Sequence, residues 1–107
     1  MKRGELVTLV LPGGYGKPRP ALWVQSDLFD AHPSVTVLPV TSELRNAPLF
    51  RIRVEPTTAN GLRIVSEIMV DKAHTVPHEK VGRVIGRLED ETMSAVNRAL
   101  ATFLGFA

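Results

Sequence analysis

Two prolines stand at the start of an apolar run and restrict what that part of the chain can fold into. Pro18 and Pro20 flank Arg19, and the run continues as Ala21-Leu22-Trp23-Val24. Each proline holds its φ at about −65° and lacks a backbone N–H, and it drives the preceding residue into an extended conformation. The segment therefore cannot begin a helix, and its first residues cannot be donors in the middle of a sheet. We predict a strand over 20–25, with Arg19 held just before its start.

Short apolar segments of the same kind recur along the chain, separated by clusters of glycine and proline. Their β-branched composition is typical of strands, and we predict further strands over 5–11, 34–40, 50–55, 64–70 and 81–88. Pro39, near the end of one of them, indicates an edge strand or a bulge. Five or six short strands joined by such turns predict a mainly β fold, a small, curved antiparallel sheet or barrel. The 107 residues suit a single domain, which we expect to span 1–107.

A long helix is predicted only at the C-terminal end of the chain, besides single helical turns after Ser26 and over 77–80. Asp90 is a suitable N-cap, and Gly105 suits the position just after the last helical residue. Apolar residues recur between them at helical spacing, and we expect the whole stripe to pack in the core: Met93, Val96, Leu100, Phe103 and Leu104.

Composition narrows the class of protein. The chain has no cysteine, which excludes disulfides and thiolate metal sites and fits a reducing compartment. Its start lacks the apolar segment of a signal peptide, and no apolar run could span a bilayer, so we expect a cytoplasmic protein without membrane association. The formal net charge is +2, and nine of the 13 basic residues are arginine. Guanidinium groups are suited to bidentate contacts with phosphate, so the net charge and the arginine content weakly favour a polyanionic partner.

Several polar groups allow more than one interpretation. Arg51, Arg53 and Glu55 alternate with apolar residues, so we place them on the solvent face of a strand, where the arginines either contact phosphates or are simply solvated. The glycine-rich loop 12–18 either brings its backbone close to a phosphate or is a long hairpin connection; it lacks the Gly-Lys-Ser/Thr of a P-loop. His74 and His78 are separated by Val76-Pro77, which argues against a shared helix face, and we expect no metal site.

A set of short motifs follows in a fixed order along nearly the whole chain. They are Arg3-Gly4-Glu5 in the first strand, Arg19-Pro20-Ala21, Pro39-Val40-Thr41-Ser42, Gly61-Leu62 with Ser66, Asp71-Lys72-Ala73-His74-Thr75, and Ile85-Gly86-Arg87-Leu88. In this order and spacing the set resembles the MazF, PemK and Kid family of toxin ribonucleases. Departures from the family pattern occur around Asp71: Met69 stands where some members have a second arginine, Lys72 replaces a glutamine and His74 replaces an arginine.

The resemblance implies a fold, an activity and partners. It implies a homodimer of SH3-like barrels, each with a C-terminal helix. It implies a metal-independent endoribonuclease without a cofactor, which cleaves single-stranded mRNA through attack of the 2′-OH and leaves a 2′,3′-cyclic phosphate and a 5′-OH. It also implies a cognate antitoxin whose acidic, disordered tail covers the RNA groove.

Site residues follow from the resemblance position by position. Arg19 matches the catalytic arginine, and its guanidinium would stabilise the charge that develops on phosphorus rather than donate a proton. Thr41 matches the catalytic threonine, which positions the phosphate. Asp71 is a candidate for the general base or for a group that orients the substrate, although a lone carboxylate at this place is more typical of a turn. His74 is a candidate for the base or the acid and could equally be a surface turn residue. RNA binding is assigned to Tyr15, Lys17, Ser42 and Lys72.

Two other classes of function stay open at this point. A gyrase-poisoning toxin of the same fold would act by binding through the end of its C-terminal helix and would not need Arg19. The chain ends Leu104-Gly105-Phe106-Ala107 and lacks that relative's Trp-Gly-Ile type of tail. A non-catalytic SH3-like binding module is the third alternative, and only the shared architecture supports it.

Overall fold

The computed structural model describes residues 1–10 and 16–106, and within them it has seven strands, one α-helix and three short 3-10 helices, at Asp27–Phe29, Val70–Lys72 and His78–Lys80. The predicted end of the first strand at Leu11 and most of the 12–18 loop lie outside these residues. The elements are β1 (Glu5–Leu9), β2 (Arg19–Trp23), β3 (Ser34–Thr41), β4 (Arg51–Val54), β5 (Ser66–Met69), β6 (His74–Pro77), β7 (Val81–Arg87) and α1 (Asp90–Leu104). None of the helices in the described residues has both the length and the apolar character needed to cross a membrane.

All strand pairs are antiparallel, and the sheet runs in the order β4-β5-β3-β2-β1-β7, with β6 also paired to β3. Mainly antiparallel β structure with one C-terminal helix is therefore confirmed. The sheet is not closed, because among the described residues β4 and β7 do not pair with each other. Instead, the connection after β4 reaches β7, where the Arg87 N–H donates to the Ala59 carbonyl at 2.9 Å.

Proline positions follow the hydrogen bonding of the sheet. Pro20 lies opposite Thr8 of β1, while the ladder with β3 begins only at Ala21, so Pro20 has a strand partner on one side. Pro39, in contrast, does not mark an edge, because β3 is the central strand. The β6 ladder ends at Val37 and the β5 ladder begins at Val40, and Pro39 lies between them. A residue without an N–H fits this gap because neither the β5 nor the β6 ladder includes it, while on the other side of β3 it lies opposite Ala21 of β2.

Both faces of the central strands are buried, which explains their nearly continuous apolar sequence. Alternate residues of β1 and β2 go to opposite faces. Leu6 and Leu22 belong to a cluster that packs against Met93 and Val96 of α1. The residues next to them in the sequence, Val7 and Ala21, point to the other face and belong to a second cluster. That cluster also includes Trp23, Val35, Val37 and Val76.

Helix α1 begins one residue earlier than the capping pattern predicted. Glu89 is the N-cap and Asp90 is the first helical residue. Gly105 ends the helix as predicted, with φ of 87° and its N–H donating to the Ala101 and Thr102 carbonyls.

The core prediction for the apolar stripe of α1 is right for its first half and wrong for its last turn. Met93 and Val96 are buried and Leu100 packs against the core, but Phe103 and Leu104 are 51% and 59% exposed. Fifteen residues rise about 22 Å, so the helix extends beyond the cluster that covers its beginning.

Close packing between β7 and the loop after β4 depends on glycine, and replacing Gly86 with alanine is expected to destabilise the protein. A Cβ at this position would lie 2.3 Å from the backbone carbon and 2.4 Å from the backbone oxygen of Asn60. Backbone atoms cannot rotate away, so we expect a loss of about 1–3 kcal/mol in the free energy of unfolding. Urea denaturation measures this loss. Arg87→Ala, an exposed change in the same strand, is the control, and equal stability of the two variants would contradict the prediction.

Candidate functional site

Arg19 and Thr41 lie at the same edge of the sheet. The β2–β3 ladder pairs Trp23 with Val37 and Ala21 with Pro39. The same register continued by two residues reaches Arg19 and Thr41, which are the first residue of β2 and the last residue of β3. Arg19 and Thr41, which are 22 positions apart in the sequence, therefore lie at neighbouring strand ends, two residues beyond the last pair of the ladder.

A cavity of about 510 Å³ opens at this edge. Its lining includes three arginines and three hydroxyl-bearing residues: Arg19, Arg63, Arg83, Thr8, Ser42 and Ser66. Among the residues that the structure describes, the lining contains no carboxylate. A cavity with cationic donors, hydroxyls and no acidic group is suited to an anion such as phosphate.

Arg19 is exposed at the rim of this cavity. No hydrogen bond or ion pair with another described residue engages its guanidinium, whereas Arg51 and Arg53 are both paired with Glu67. Its five N–H donors are therefore available to a ligand.

Thr41 and Ser42 face different surroundings. Thr41 is half-buried, does not line the cavity, and its hydroxyl oxygen accepts a hydrogen bond from the Glu43 N–H at 3.0 Å. The hydroxyl proton remains free to be donated. Ser42 is exposed and lines the cavity.

A buried carboxylate, Glu67, holds the loop that follows these two residues. Glu67 lies opposite Thr41 in the β3–β5 ladder and is 2% exposed. Its oxygens accept from the backbone N–H of Arg45 at 3.0 Å and of Asn46 at 3.3 Å, and from the guanidiniums of Arg53 at 3.0 Å and Arg51 at 3.3 Å. The path of the chain just after Thr41 and Ser42 is thus fixed from the neighbouring strand.

These partners keep Glu67 ionised. The Arg45 N–H is the main cause that lowers the pKa of the Glu67 carboxyl from 4.5 to about 2, and the two guanidiniums and the Asn46 N–H act in the same direction. Burial alone would raise the pKa, so the hydrogen bonds outweigh the loss of solvation.

The prediction that Arg51 lies on the solvent face of its strand is wrong. Arg51 is 7% exposed, and it also donates to the Glu43 carbonyl at 3.0 Å. The alternation indicates exposure, but the buried carboxylate of Glu67, which lies opposite Arg53 in the β4–β5 ladder, pairs with the Arg51 guanidinium at 3.3 Å and holds it inside. Arg53 and Glu55 are exposed, as predicted.

Asp71, Lys72 and His74 form a separate polar group. His74 lies opposite Val37 of β3, four residues from Thr41, or about 13 Å along the strand. Its Nδ1 donates to the Lys72 carbonyl at 2.7 Å, which leaves Nε2 as the free ring nitrogen. The Lys72 Nζ lies 3.4 Å from Asp71 Oδ2, and Asp71 Oδ1 is buried with no partner in the described structure.

The structure thus brings only part of the predicted site together. Arg19 and Ser42 line one cavity with Thr41 beside it, and none of the Asp71 group lines that cavity. Lys17 is exposed and likewise does not line it, and Tyr15 lies outside the described residues. In residues 1–10 and 16–106, no three histidine, aspartate or glutamate side chains are grouped as metal ligands.

Sequence reasoning missed Arg63, Arg83 and Glu67. Glu67 could have been found as a lone carboxylate within an apolar strand. The two arginines carry no local signal, because only the strand order brings them to Arg19.

Comparison with known proteins identifies a family and a full-length relative. A family described as "PemK-like, MazF-like toxin of type II toxin-antitoxin system" matches residues 2–104. A protein named "Probable endoribonuclease MazF" from Mycolicibacterium smegmatis is 50% identical over 108 residues, which are 100% of this chain and 99% of that protein.

Solved structures of two toxins or endoribonucleases resemble this fold over nearly the whole chain. "Mycobacterium tuberculosis toxin MazF-mt6" has a TM-score of 0.82 at 26% identity, covering 96% of this chain and 98% of that one. "Endoribonuclease in complex with its cognate antitoxin from Mycobacterial species" has a TM-score of 0.83 at 27% identity, covering 100% and 97%.

Proposed function

The chain belongs to the family of PemK-like, MazF-like toxins of type II toxin–antitoxin systems, and on this premise we propose that it is an endoribonuclease with Arg19 and Thr41 at its active site. Its substrate is single-stranded mRNA, cut at short sequences. The observation that supports the residue assignment is the cavity at the ends of β2 and β3, whose described lining has arginine and hydroxyl-bearing residues and no carboxylate. Arg19 lines this cavity, and so do both sequence neighbours of Thr41.

The proposed reaction is an internal phosphoryl transfer. The 2′-oxygen of the RNA loses its proton and attacks the adjacent phosphorus, and the bond from phosphorus to the 5′-oxygen breaks. The products are a 2′,3′-cyclic phosphate and a 5′-OH, which takes up a proton. The transition state carries additional negative charge on the non-bridging oxygens, so a group that binds them more tightly there than in the substrate accelerates the reaction.

Arg19 is assigned to this stabilisation. Its planar guanidinium can bind two phosphate oxygens at once, and it is free of other partners among the described residues. Thr41 is assigned to positioning, because its hydroxyl proton can donate to the phosphate while its oxygen is fixed by the Glu43 N–H. Ser42, the residue after Thr41, lines the cavity and adds a hydroxyl-bearing side chain there.

For the two proton transfers we keep His74 and Asp71 as candidates. Imidazole is suited to taking or giving a proton near neutral pH, and the free Nε2 of His74 is available for it. An RNA strand that contacts both His74 and Thr41 must run along β3 for about 13 Å. Lys72 would then contact the backbone of the same strand, and Lys17 and Tyr15 would act from the loop before β2.

The proposed partners follow from the same family. A cognate antitoxin with an acidic tail would cover the arginine-lined cavity and exclude RNA from it. The toxin would act as a homodimer in the cytoplasm, where its substrate is found. The family assignment does not favour gyrase poisoning or a non-catalytic binding role, and the following experiment separates both from RNA cleavage.

The test is cleavage of a long single-stranded RNA in EDTA, with products mapped for position and end chemistry. We expect cuts at a recurrent short sequence with cyclic phosphate ends. In Thr41→Val, which keeps the shape and removes the hydroxyl, we expect a loss of about tenfold or more, the scale of one hydrogen bond to a charged group. Intact RNA across several unrelated substrates would overturn the proposed function, and full activity of Thr41→Val would remove Thr41 from the site.

A further inference from the structure

Two arginines beside Arg19 have no role in the site described so far. Arg63 comes from the loop after Gly61, and Arg83 comes from β7. Both are exposed and both line the same cavity as Arg19.

The position of Arg83 is fixed by the order of the strands. Leu9 of β1 pairs with Arg19 on one side and with Val81 on the other, so β2, β1 and β7 lie side by side. The Arg83 N–H donates to Thr8 Oγ1 at 3.1 Å, which ties this part of β7 to β1. With about 4.8 Å between neighbouring strands, the strands of Arg19 and Arg83 are about 10 Å apart.

The position of Arg63 is fixed by its two neighbours on the N-terminal side. Gly61 has φ of 71°, and a Cβ there would lie 2.0 Å from the Ile85 carbonyl oxygen, so the loop lies directly on β7. Leu62 is buried in the core below it. Arg63 is therefore anchored at the cavity although it belongs to a loop.

Neither guanidinium is neutralised by the described part of the protein. The ion pairs that involve arginine there belong to Arg45, Arg51 and Arg53. Arg63 and Arg83 have no carboxylate within ion-pair distance in residues 1–10 and 16–106, and the described lining contains no acidic residue. Three like charges are thus gathered without a counter-charge, which is unfavourable unless an anion binds between them.

We propose that Arg63 and Arg83 bind the RNA phosphates that flank the phosphate held by Arg19. They are binding residues for the backbone and take no part in the chemical step, so they act regardless of base sequence. This inference rests on the proposed function and extends it to the path of the RNA, from β2 across β1 to β7.

The experiment measures binding of a short RNA, 2′-O-methylated so that it cannot be cut, as a function of salt concentration. Each phosphate contact on a single strand contributes about 0.7 to the slope of log K against log salt. We expect Arg63→Gln and Arg83→Gln each to lower the slope by about 0.7 relative to the unchanged protein. Arg98→Gln, at an exposed site of α1 away from the cavity, makes the same charge change and should leave the slope as it is.

Cleavage kinetics supply the second readout. Both variants should raise KM for a cleavable RNA several-fold and leave kcat nearly unchanged, because flanking phosphates are bound equally in substrate and transition state. Circular dichroism confirms that the variants are folded.

The outcomes are distinguishable. Slopes equal to that of Arg98→Gln, or a fall in kcat without a change in KM, would overturn the inference while leaving the ribonuclease assignment intact. Failure of the unchanged protein to bind and cleave RNA would overturn the proposed function and this inference together.

Discussion

Arg19→Ala is expected to lower the rate of RNA cleavage by about two to three orders of magnitude, with little change in stability. The magnitude is that of removing one preorganised donor from a developing oxyanion, about 10²–10³ in kcat. The fold should tolerate the change because Arg19 is exposed and makes no hydrogen bond or ion pair within the described residues. Single-turnover cleavage with excess protein measures the chemical step directly.

Arg19→Lys tests the reason for the effect. Lysine keeps the positive charge but loses the planar pair of donors, so its rate should lie between those of the unchanged protein and the alanine variant. Arg98→Ala is the control for loss of a surface charge. A rate for Arg19→Ala within a few-fold of that of Arg98→Ala would place the catalytic group elsewhere.

Glu67→Leu is expected to lower the free energy of unfolding by about 3–5 kcal/mol. The substitution leaves the buried Arg51 guanidinium without its counter-charge and removes the acceptor for the Arg45 and Asn46 N–H groups, which is the most costly way to break a buried ion pair. Urea denaturation of this variant beside Glu55→Leu, an exposed carboxylate next to β4, measures the difference.

Adding Arg51→Met to Glu67→Leu should restore part of the lost stability, since an apolar pair of similar size can replace a buried ion pair. If the double variant is no more stable than Glu67→Leu, the unpaired guanidinium is not the source of the loss.

The contribution of the Glu67 carboxylate to stability should also be visible when the unchanged protein is acidified. The folded pKa of Glu67, about 2, is below the ordinary 4.5, so on acidification the unfolded chain binds the proton first. Its contribution to stability is therefore complete above about pH 4.5 and is lost as the pH falls toward 2. Glu67→Leu should show a flatter decline over this window. An identical decline in both proteins would contradict the assignment.

The sequence was enough to predict those strand and helix ends that depend on the residues at the end itself. The two prolines of the Arg19 segment exclude a helix and remove donors, and the strand there is present with Pro20 paired on one side only. Gly105 ends the helix because its φ of 87° suits glycine. The edge-strand interpretation of Pro39 is wrong because the strands beside it in space, β5 and β6, are distant in sequence.

Contacts that depend on the order of the strands could not be predicted from the sequence. Alternation predicts exposure for Arg51, but it does not reveal that the neighbouring strand β5 brings the buried carboxylate of Glu67 within reach of the Arg51 guanidinium. Phe103 was assigned to the core because helical spacing gives the face of a residue and not the extent of the partner surface. The link between Arg19 and Thr41 rests on the family resemblance and stays a prediction; the β2–β3 ladder shows only that the two residues lie at neighbouring strand ends.

The arginine-lined cavity also gives the molecule an uneven electric field. Three of the 13 basic residues are gathered at one edge of the sheet, and the other ten are outnumbered by the 11 acidic residues. A net charge of only +2 thus conceals a positive pole on an otherwise slightly negative body. Such a pole orients a polyanion during diffusion, before any contact forms, and raises the rate of productive encounters. RNA and an acidic antitoxin tail would be drawn to the same edge, so which of them binds first depends on their concentrations and encounter rates as much as on their affinities.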